Sequence, residues 1–396
     1  MIIKPRIKGF LCTTAHPVGC ARDVENQIRH VKSQGAIEKG PKKVLVIGAS
    51  GGYGLASRIT AAFGSGAATI GVFFERPADD RRTASPGWYK SAAFTHMAQT
   101  QGLYAKNLNG DAFSSELKQQ TIDLIKADLG QVDMVIYSLA APARQLPDGT
   151  LVRSALKPIG EAFEGATIDF NTAELRPISL EPASQQEIDD TVKVMGGEDW
   201  ELWIHALLDA GVLANGCITT NYTYLGSEVT WPIYYHGTIG KAKEDLDRAA
   251  KALAVPLQQV NGKAYIAVMK GLMTQAASAI PGMAVYLSLL FKIMKEKDTH
   301  EGCIEQTTRL FHEQLFSGSK MRLDEAGRIR MDDLELTDEV QSWVKEKWPR
   351  VSNETISEIT DFAGYKEAFL NMHGFGFEGV DYEADVPHEI AMDLAS

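Results

Sequence analysis

The chain has 396 residues, 44% of them hydrophobic and 23% charged, which fits a globular protein of one enlarged domain or two ordinary ones. Its net charge of -11 argues against nucleic acid and anionic membranes as partners. The four cysteines (Cys12, Cys20, Cys217, Cys303) lack metal-ligand spacing and read as free thiols of a reducing cytoplasm, and the longest apolar run, Met283 to Met294, is too short to span a membrane.

Residues 1–42 hold two short extended pieces and a polar helix through Val24, Ile28 and Val31. From Lys43 the chain enters a continuous apolar run, Val44 to Ile47, that breaks at Gly48, Gly51, Gly52 and Gly54 and resumes with helical spacing at Leu55, Ile59, Ala62 and Phe63, with Gly64 expected as the C-cap. This reads as strand, phosphate loop, helix. One glycine permits the sharp turn, another lets backbone N–H groups approach a diphosphate, and the helix N-terminus favours the anion. The spacing G-x-x-x-G-x-G of Gly48, Gly52 and Gly54 is that of short-chain reductases, not the G-x-G-x-x-G of the common dehydrogenase fingerprint.

Further strands are expected at Ala68 to Phe74, Leu103 to Leu108, Val132 to Tyr137, Cys217 to Tyr224 and Val255 to Val260. Helices fall between them, through Leu117, Ile122 and Ile125, and then from Ile188 to Leu208. Between 143 and 185 the alternation fails, and short strands among prolines suggest an inserted hairpin or flap. Lys270 to Lys295 is a long apolar helical region broken at Pro281-Gly282, Thr337 to Trp348 a charged helix, and His373 to Tyr382 a segment that wraps the main body. The expected fold is α/β, a Rossmann-type doubly wound parallel sheet with an inserted hairpin and extra helices. We expect one enlarged domain: an N-terminal extension (1–42), a dinucleotide-binding half (43–142), the hairpin (143–185), a catalytic half with a substrate segment (186–320) and a C-terminal extension (321–396).

Glu75 lies 21 residues past Gly54 at a strand end, where a carboxylate accepts hydrogen bonds from the adenosine ribose and repels a 2′-phosphate, so NADH is expected as cofactor. Arg76, Arg81 and Arg82 keep a phosphate-binding reading open. Asp111 follows the third strand, where short-chain reductases place a carboxylate toward the adenine, and equally suits a turn.

Reductases of this type pair a tyrosine at the substrate oxygen with a lysine at the nicotinamide ribose. No tyrosine here has a lysine four residues later. Tyr234 instead offers Lys241 and Lys243, on a helix that starts near Gly237-Thr238 and whose apolar face is Ile239, Ala242, Leu246, Ala249, Ala250 and Leu253. At roughly 100° per residue, Lys243 lies about 70° from the centre of that face and Lys241 about 130° away, so Lys243 is the one that reaches inward. Tyr234 must then sit on the loop before the helix. Tyr235 competes with it, and Tyr222 and Tyr224 share a strand face that could bring a second hydroxyl. The pair Tyr286 and Lys295 has the same separation but lies within one helical run, where the two face apart.

With both motifs in place, the chain resembles the FabV-type enoyl-acyl-carrier-protein reductases and the related trans-2-enoyl-CoA reductases. The likeness runs from Ile2 to Pro5 and Thr14 to Cys20, through Gly48 to Gly54 and Pro232 to Lys243, to Gly374 to Phe377. The family signature Tyr-x8-Lys falls on Tyr234 and Lys243. The resemblance implies NADH-dependent reduction of the trans-2 double bond of enoyl thioesters carried on acyl carrier protein or CoA, by a largely monomeric enzyme. It assigns Tyr224, Ile280, Met283, Tyr286 and Leu287 to the substrate. The expected cofactor set is Gly48, Ser50, Gly51, Gly52, Tyr53, Gly54, Phe74, Glu75, Asp111, Ala112, Ser138, Leu139, Ala140, Lys243 and Thr274. Two rival readings are a short-chain 3-oxoacyl or ketone reductase, disfavoured by the missing Tyr-x-x-x-Lys, and a non-catalytic NAD-binding sensor.

Overall fold

The structure is a computed structural model that describes residues 1–395. Seven parallel strands form one sheet: β1 (Lys43–Ile47), β2 (Ala68–Phe73), β3 (Ala105–Asn109), β4 (Val132–Tyr137), β5 (Leu213–Thr223), β6 (Lys263–Val268) and β7 (Ile329–Arg330). Their spatial order is β7-β6-β5-β4-β1-β2-β3. The order reverses between β1 and β4, so a crevice opens beyond the carboxyl ends of those two strands.

The long apolar run of β1 is explained by burial on both faces. Leu45 and Ile47 join a cluster with Val135, Trp200, Trp203 and Leu246, while Val44 and Val46 join Met134, Ile136, Leu310 and Phe311 on the other side. The helices that cover these faces are α1 (Pro17–Ser33), α2 (Gly52–Ser65), α3 (Pro86–Thr100), α4 (Ser115–Leu124), α5 (Gln185–Met195), α6 (Glu198–Asp209) and α7 (Thr238–Leu253). They are followed by α8 (Gln275–Ser278), α9 (Met283–Glu296), α10 (Cys303–Arg309), α11 (Asp338–Lys347), α12 (Ile356–Ile359) and α13 (Phe362–Met372).

Several sequence expectations are corrected. The segment Val255 to Val260 is not a strand: Pro256–Val260 is a 3-10 turn, because Pro256 has no N–H for a ladder bond, and the strand comes after it as β6. α2 runs past Gly64, which is buried inside it, and ends at Gly66, whose φ of 67° is left-handed. The single helix expected from Ile188 to Leu208 is two, α5 and α6. They part at Gly196-Gly197, where a Cβ on Gly197 would stand 2.2 Å from Ala249 Cβ of α7.

The inserted segment holds two antiparallel hairpins, Ala143–Gln145 with Leu151–Arg153 and Phe163–Ile168 with Leu175–Leu180. The second is anchored by Phe170, whose ring stacks on Phe369 of α13 with centroids 4.4 Å apart. The closing segment wraps back on the N-terminal part: His16 N–H donates to His373 O, and a Cβ on Gly19 would fall 1.6 Å from Gly374 O. Among the described residues no helix is long and apolar enough to cross a membrane.

Candidate active site

Two glycines press the loop after β1 against its neighbours. Gly48 has φ 86°, and a Cβ there would stand 2.1 Å from Ser138 O; one on Gly54 would stand 2.0 Å from Gly48 O. The loop, the first turn of α2 and the turn Ser138-Leu139-Ala140 after β4 are thus closer than any side chain permits. The outer side is open. Gly51 has nothing within 4 Å of its would-be Cβ, Gly52 meets only Thr274 Cγ2 at 3.8 Å, and no side chain caps the N-terminus of α2. This is the space and the polarity a diphosphate needs.

Glu75 lies beside this loop. Ser50 Oγ donates to its Oε1 at 2.6 Å, and Asn109 clamps its peptide from β3, accepting from Glu75 N at 2.7 Å and donating to Glu75 O at 2.9 Å. Asn109 did not stand out in the sequence, because its role depends on β2 and β3 being adjacent. Phe74 projects its ring with 79% exposure, and Asp111 accepts from Phe113 N–H at 2.9 Å while Ala112 beside it is buried. The arginine alternative weakens, since Arg82 is paired with Asp79 at 2.6 Å. Tyr53 donates to Lys270 O at 2.9 Å and tilts against Tyr222, whose hydroxyl turns to Ser57 Oγ at 2.6 Å and so belongs to α2.

The loop before α7 places the tyrosine. Tyr234 O accepts from the N–H groups of Gly237 and Gly240, both at 3.1 Å, and a Cβ on Gly240 would stand 1.9 Å from Tyr235 O. Only glycine lets this loop lie on the first turn of the helix. Tyr234 is 4% exposed, whereas Tyr235 is 37% exposed and tilts against Trp231 and His236, so Tyr234 is the ring that faces inward. Burial raises the Tyr234 hydroxyl above its ordinary pKa, and that hydroxyl has no hydrogen-bond partner among the described residues.

Helix α7 separates the two lysines as the wheel argument expects. Lys241 is exposed and paired with Glu244 at 2.8 Å. Lys243 is half-buried, makes no ion pair or hydrogen bond among the described residues, and is brought down to about 8 by desolvation. Two more polar groups at the carboxyl end of β5, Asn221 Nδ2 and Thr223 Oγ1, are buried without partners. A hydroxyl, an ammonium and two polar side-chain atoms without partners among the described residues are the kind of groups that bind ligands.

An apolar wall completes it. Ile280, Met283, Tyr286 and Leu287 are buried in one cluster with Tyr234, Ile233 and Met273. Tyr224 meets Tyr234 edge-on, with centroids 5.0 Å apart at 72°. The hydroxyls of Tyr224 and Tyr286 both donate to Glu335 Oε1, at 2.8 and 2.6 Å. Glu335 is fully buried and stands 111 residues beyond Tyr224, so no local pattern could reveal it. Tyr286 and Lys295 do face apart, Lys295 being paired with Asp361.

The family models that match are described as the trans-2-enoyl-CoA reductase catalytic region over residues 82–316, its NAD(P)H binding domain over 2–80, and an enoyl reductase FAD binding domain over 323–386. The enoyl-acyl-carrier-protein reductase (NADH) of Serratia proteamaculans is 58% identical, covering 100% of this chain and 99% of its own, and that of Shewanella woodyi is equally similar. Among solved structures, the trans-2-enoyl-CoA reductase of Clostridium acetobutulicum in complex with NADH superimposes with a TM-score of 0.96 at 43% identity, covering both chains fully. That of Treponema denticola in complex with NAD does so with 0.94 at 47%, again over both full chains.

A flavin does not fit the stretch 323–386. Its apolar residues Val340, Val344, Tyr365 and Phe369 are spent on a packed core with α9. A cleft of about 760 Å³ does open between α9 and residues 356–366. Of its lysines, Lys292 is paired with Glu296 and Lys295 with Asp361, leaving Lys366, and the helix end it offers, that of α13, is already capped by the Asp361 carboxylate, which repels a pyrophosphate. Taken with the match of the catalytic region and of full-length relatives, this chain belongs to the trans-2-enoyl-CoA reductase family.

Proposed function

We propose that this reductase uses Tyr234 and Lys243 as its catalytic pair in the NADH-dependent reduction of the trans-2 double bond of enoyl thioesters. The observation that carries the assignment is a buried Tyr234 hydroxyl on the loop before α7 and a desolvated Lys243 on the second turn of that helix, both without a hydrogen-bond partner among the described residues. The residues fit the dinucleotide. Gly48 to Gly54 would take the diphosphate at the start of α2, Glu75 the adenosine ribose, Phe74, Asp111 and Ala112 the adenine side, and Ser138 to Ala140 with Thr274 the nicotinamide side. When bound, NADH supplies the hydride that C3 of the enoyl group receives.

Negative charge then develops on the thioester oxygen as an enolate, and Tyr234, still protonated because burial raises its pKa, donates a hydrogen bond there. Lys243 in its charged form holds the nicotinamide ribose and stabilises that charge. C2 finally takes a proton from solvent water, which leaves Tyr234 protonated for the next turnover. Tyr224 stands beside Tyr234, and Ile280, Met283, Tyr286 and Leu287 wall the acyl chain. The acidic surface supports a small-molecule thioester over nucleic acid or membrane. The four free cysteines support the cytoplasm, and a monomer is the assembly implied by the family likeness.

The test is NADH oxidation with crotonyl-CoA, longer enoyl-CoA thioesters and enoyl-carrier protein, repeated with NADPH. Activity with enoyl thioesters that falls about 10²- to 10³-fold in Tyr234→Phe, with NADH affinity intact, is expected. Near-native rates in Tyr234→Phe, or reduction of 3-oxoacyl thioesters alone, would overturn the assignment.

A further inference from the structure

The C-terminal stretch described by its match as a flavin domain delivers one charged residue into the reductase site, and that residue is Glu335. It belongs to no catalytic motif and lies far along the chain from the glycine loop, yet it is 0% exposed. Its Oε1 accepts from the Tyr224 hydroxyl at 2.8 Å and the Tyr286 hydroxyl at 2.6 Å, and its Oε2 accepts from Gly271 N–H at 2.5 Å. Gln341 Nε2 donates to Glu335 O at 2.8 Å and Tyr286 oxygen at 3.3 Å, and the buried Lys270 supplies the compensating positive charge nearby. Three donors on one carboxylate far from water is a costly arrangement to maintain, and burial alone pushes the carboxyl upward.

What this arrangement controls is Tyr224. Its proton is committed to Glu335, so the Tyr224 hydroxyl is not free to donate to a substrate oxygen, and its ring is locked edge-on against Tyr234. The position has no slack: a Cβ on Gly271 would stand 3.0 Å from the Tyr224 hydroxyl oxygen and 3.1 Å from Leu287 Cδ2. Of these three tyrosines, Tyr234 is then left as the one whose hydroxyl has no partner among the described residues.

The geometry points to Glu335 as a positioning residue of the reduction, acting through the Tyr224 hydroxyl to hold the Tyr224 ring, and with it the Tyr234 ring, in the reactive arrangement. This rests on the assignment of Tyr234 given above. Glu335→Gln keeps the volume, but an amide offers one acceptor where the carboxylate offers two. To satisfy Gly271 N–H it must turn its NH2 to the tyrosines, which reverses the Tyr224 hydrogen bond.

The experiment is a double-mutant cycle on the full chain with Glu335→Gln, Tyr224→Phe and the pair, reading kcat and KM for crotonyl-CoA and for NADH, with thermal melts alongside. Glu335→Gln should lower kcat about tenfold or more with the NADH KM unchanged, and should add less than about twofold in the Tyr224→Phe background. If Glu335→Gln does not fold, Glu335→Asp replaces it, since a carboxylate one methylene shorter keeps the charge beside Lys270 but cannot reach the Tyr224 hydroxyl and Gly271 N–H together, and its effect should likewise shrink to less than about twofold in the Tyr224→Phe background. Losses that multiply in the pair, or kcat within twofold of native in the single variant, would overturn the inference. A native enzyme that reduces no enoyl thioester would instead overturn the function itself.

Discussion

Raising the assay from pH 7 to pH 9.5 should silence this enzyme while leaving it folded. In the role proposed for it Lys243 must be charged to hold the ribose, and desolvation by burial brings it from 10.5 down to about 8. The charged fraction in the free enzyme is then about 90% at pH 7 and about 3% at pH 9.5, so kcat/KM for NADH should fall roughly 30-fold. Tyr234 does not ionise in this window, because burial raises it.

The stability effect has the opposite sign. With the folded pKa below the unfolded one, the unfolded chain binds more protons between pH 8 and 10.5, and this group's contribution to stability rises across that window. Loss of activity from this lysine is therefore accompanied by a gain, not a loss, in its contribution to the fold. A competing source is the fully buried Lys270, also near 8. Lys243→Arg separates the two, since a guanidinium stays charged throughout and the alkaline limb should vanish, although the absolute rate drops. The assay is initial-rate NADH oxidation against pH at saturating crotonyl-CoA, with melting curves at each pH. A native profile flat to pH 9.5, or an alkaline limb retained in Lys243→Arg, would refute the reasoning.

Gly48→Ala puts a methyl 2.1 Å from Ser138 O at a φ of 86°, so the loop must move. NADH binding by fluorescence titration should weaken at least about tenfold, roughly 1.4 kcal/mol. Glu75→Gln removes the charge that repels a 2′-phosphate and weakens a charge-assisted bond of about 1.5–3 kcal/mol, so the NADPH to NADH ratio of kcat/KM should rise at least about tenfold. An unchanged ratio would remove Glu75 from cofactor selection.

Much of the site was legible in sequence because it is built from local devices. The run Lys43–Ile47 with its glycines encodes strand, turn and helix start within a dozen residues, and the period of α7 alone separates Lys243 from Lys241. Where local signals conflicted, the expectation failed: Pro256 begins a turn, and the strand the sheet needs follows at Lys263–Val268.

The choice between Tyr234 and Tyr235 was beyond the local pattern and came only from the family likeness, because neighbours in a loop share every local property; in the structure Gly240 lets the loop lie on α7, and Tyr235 tilts against Trp231 on the outside. Asn109 clamping Glu75 depends on two strands being neighbours, and Glu335 reaching Tyr224 depends on a fold that joins residues 111 apart. The sequence by itself therefore determined the candidate chemistry, a glycine loop for a dinucleotide and, as proposed, an acid for the ribose and a tyrosine with its lysine. Only the tertiary structure decided which hydroxyl is free to act, because freedom from a partner is a property of everything packed around a group and not of its place in the chain.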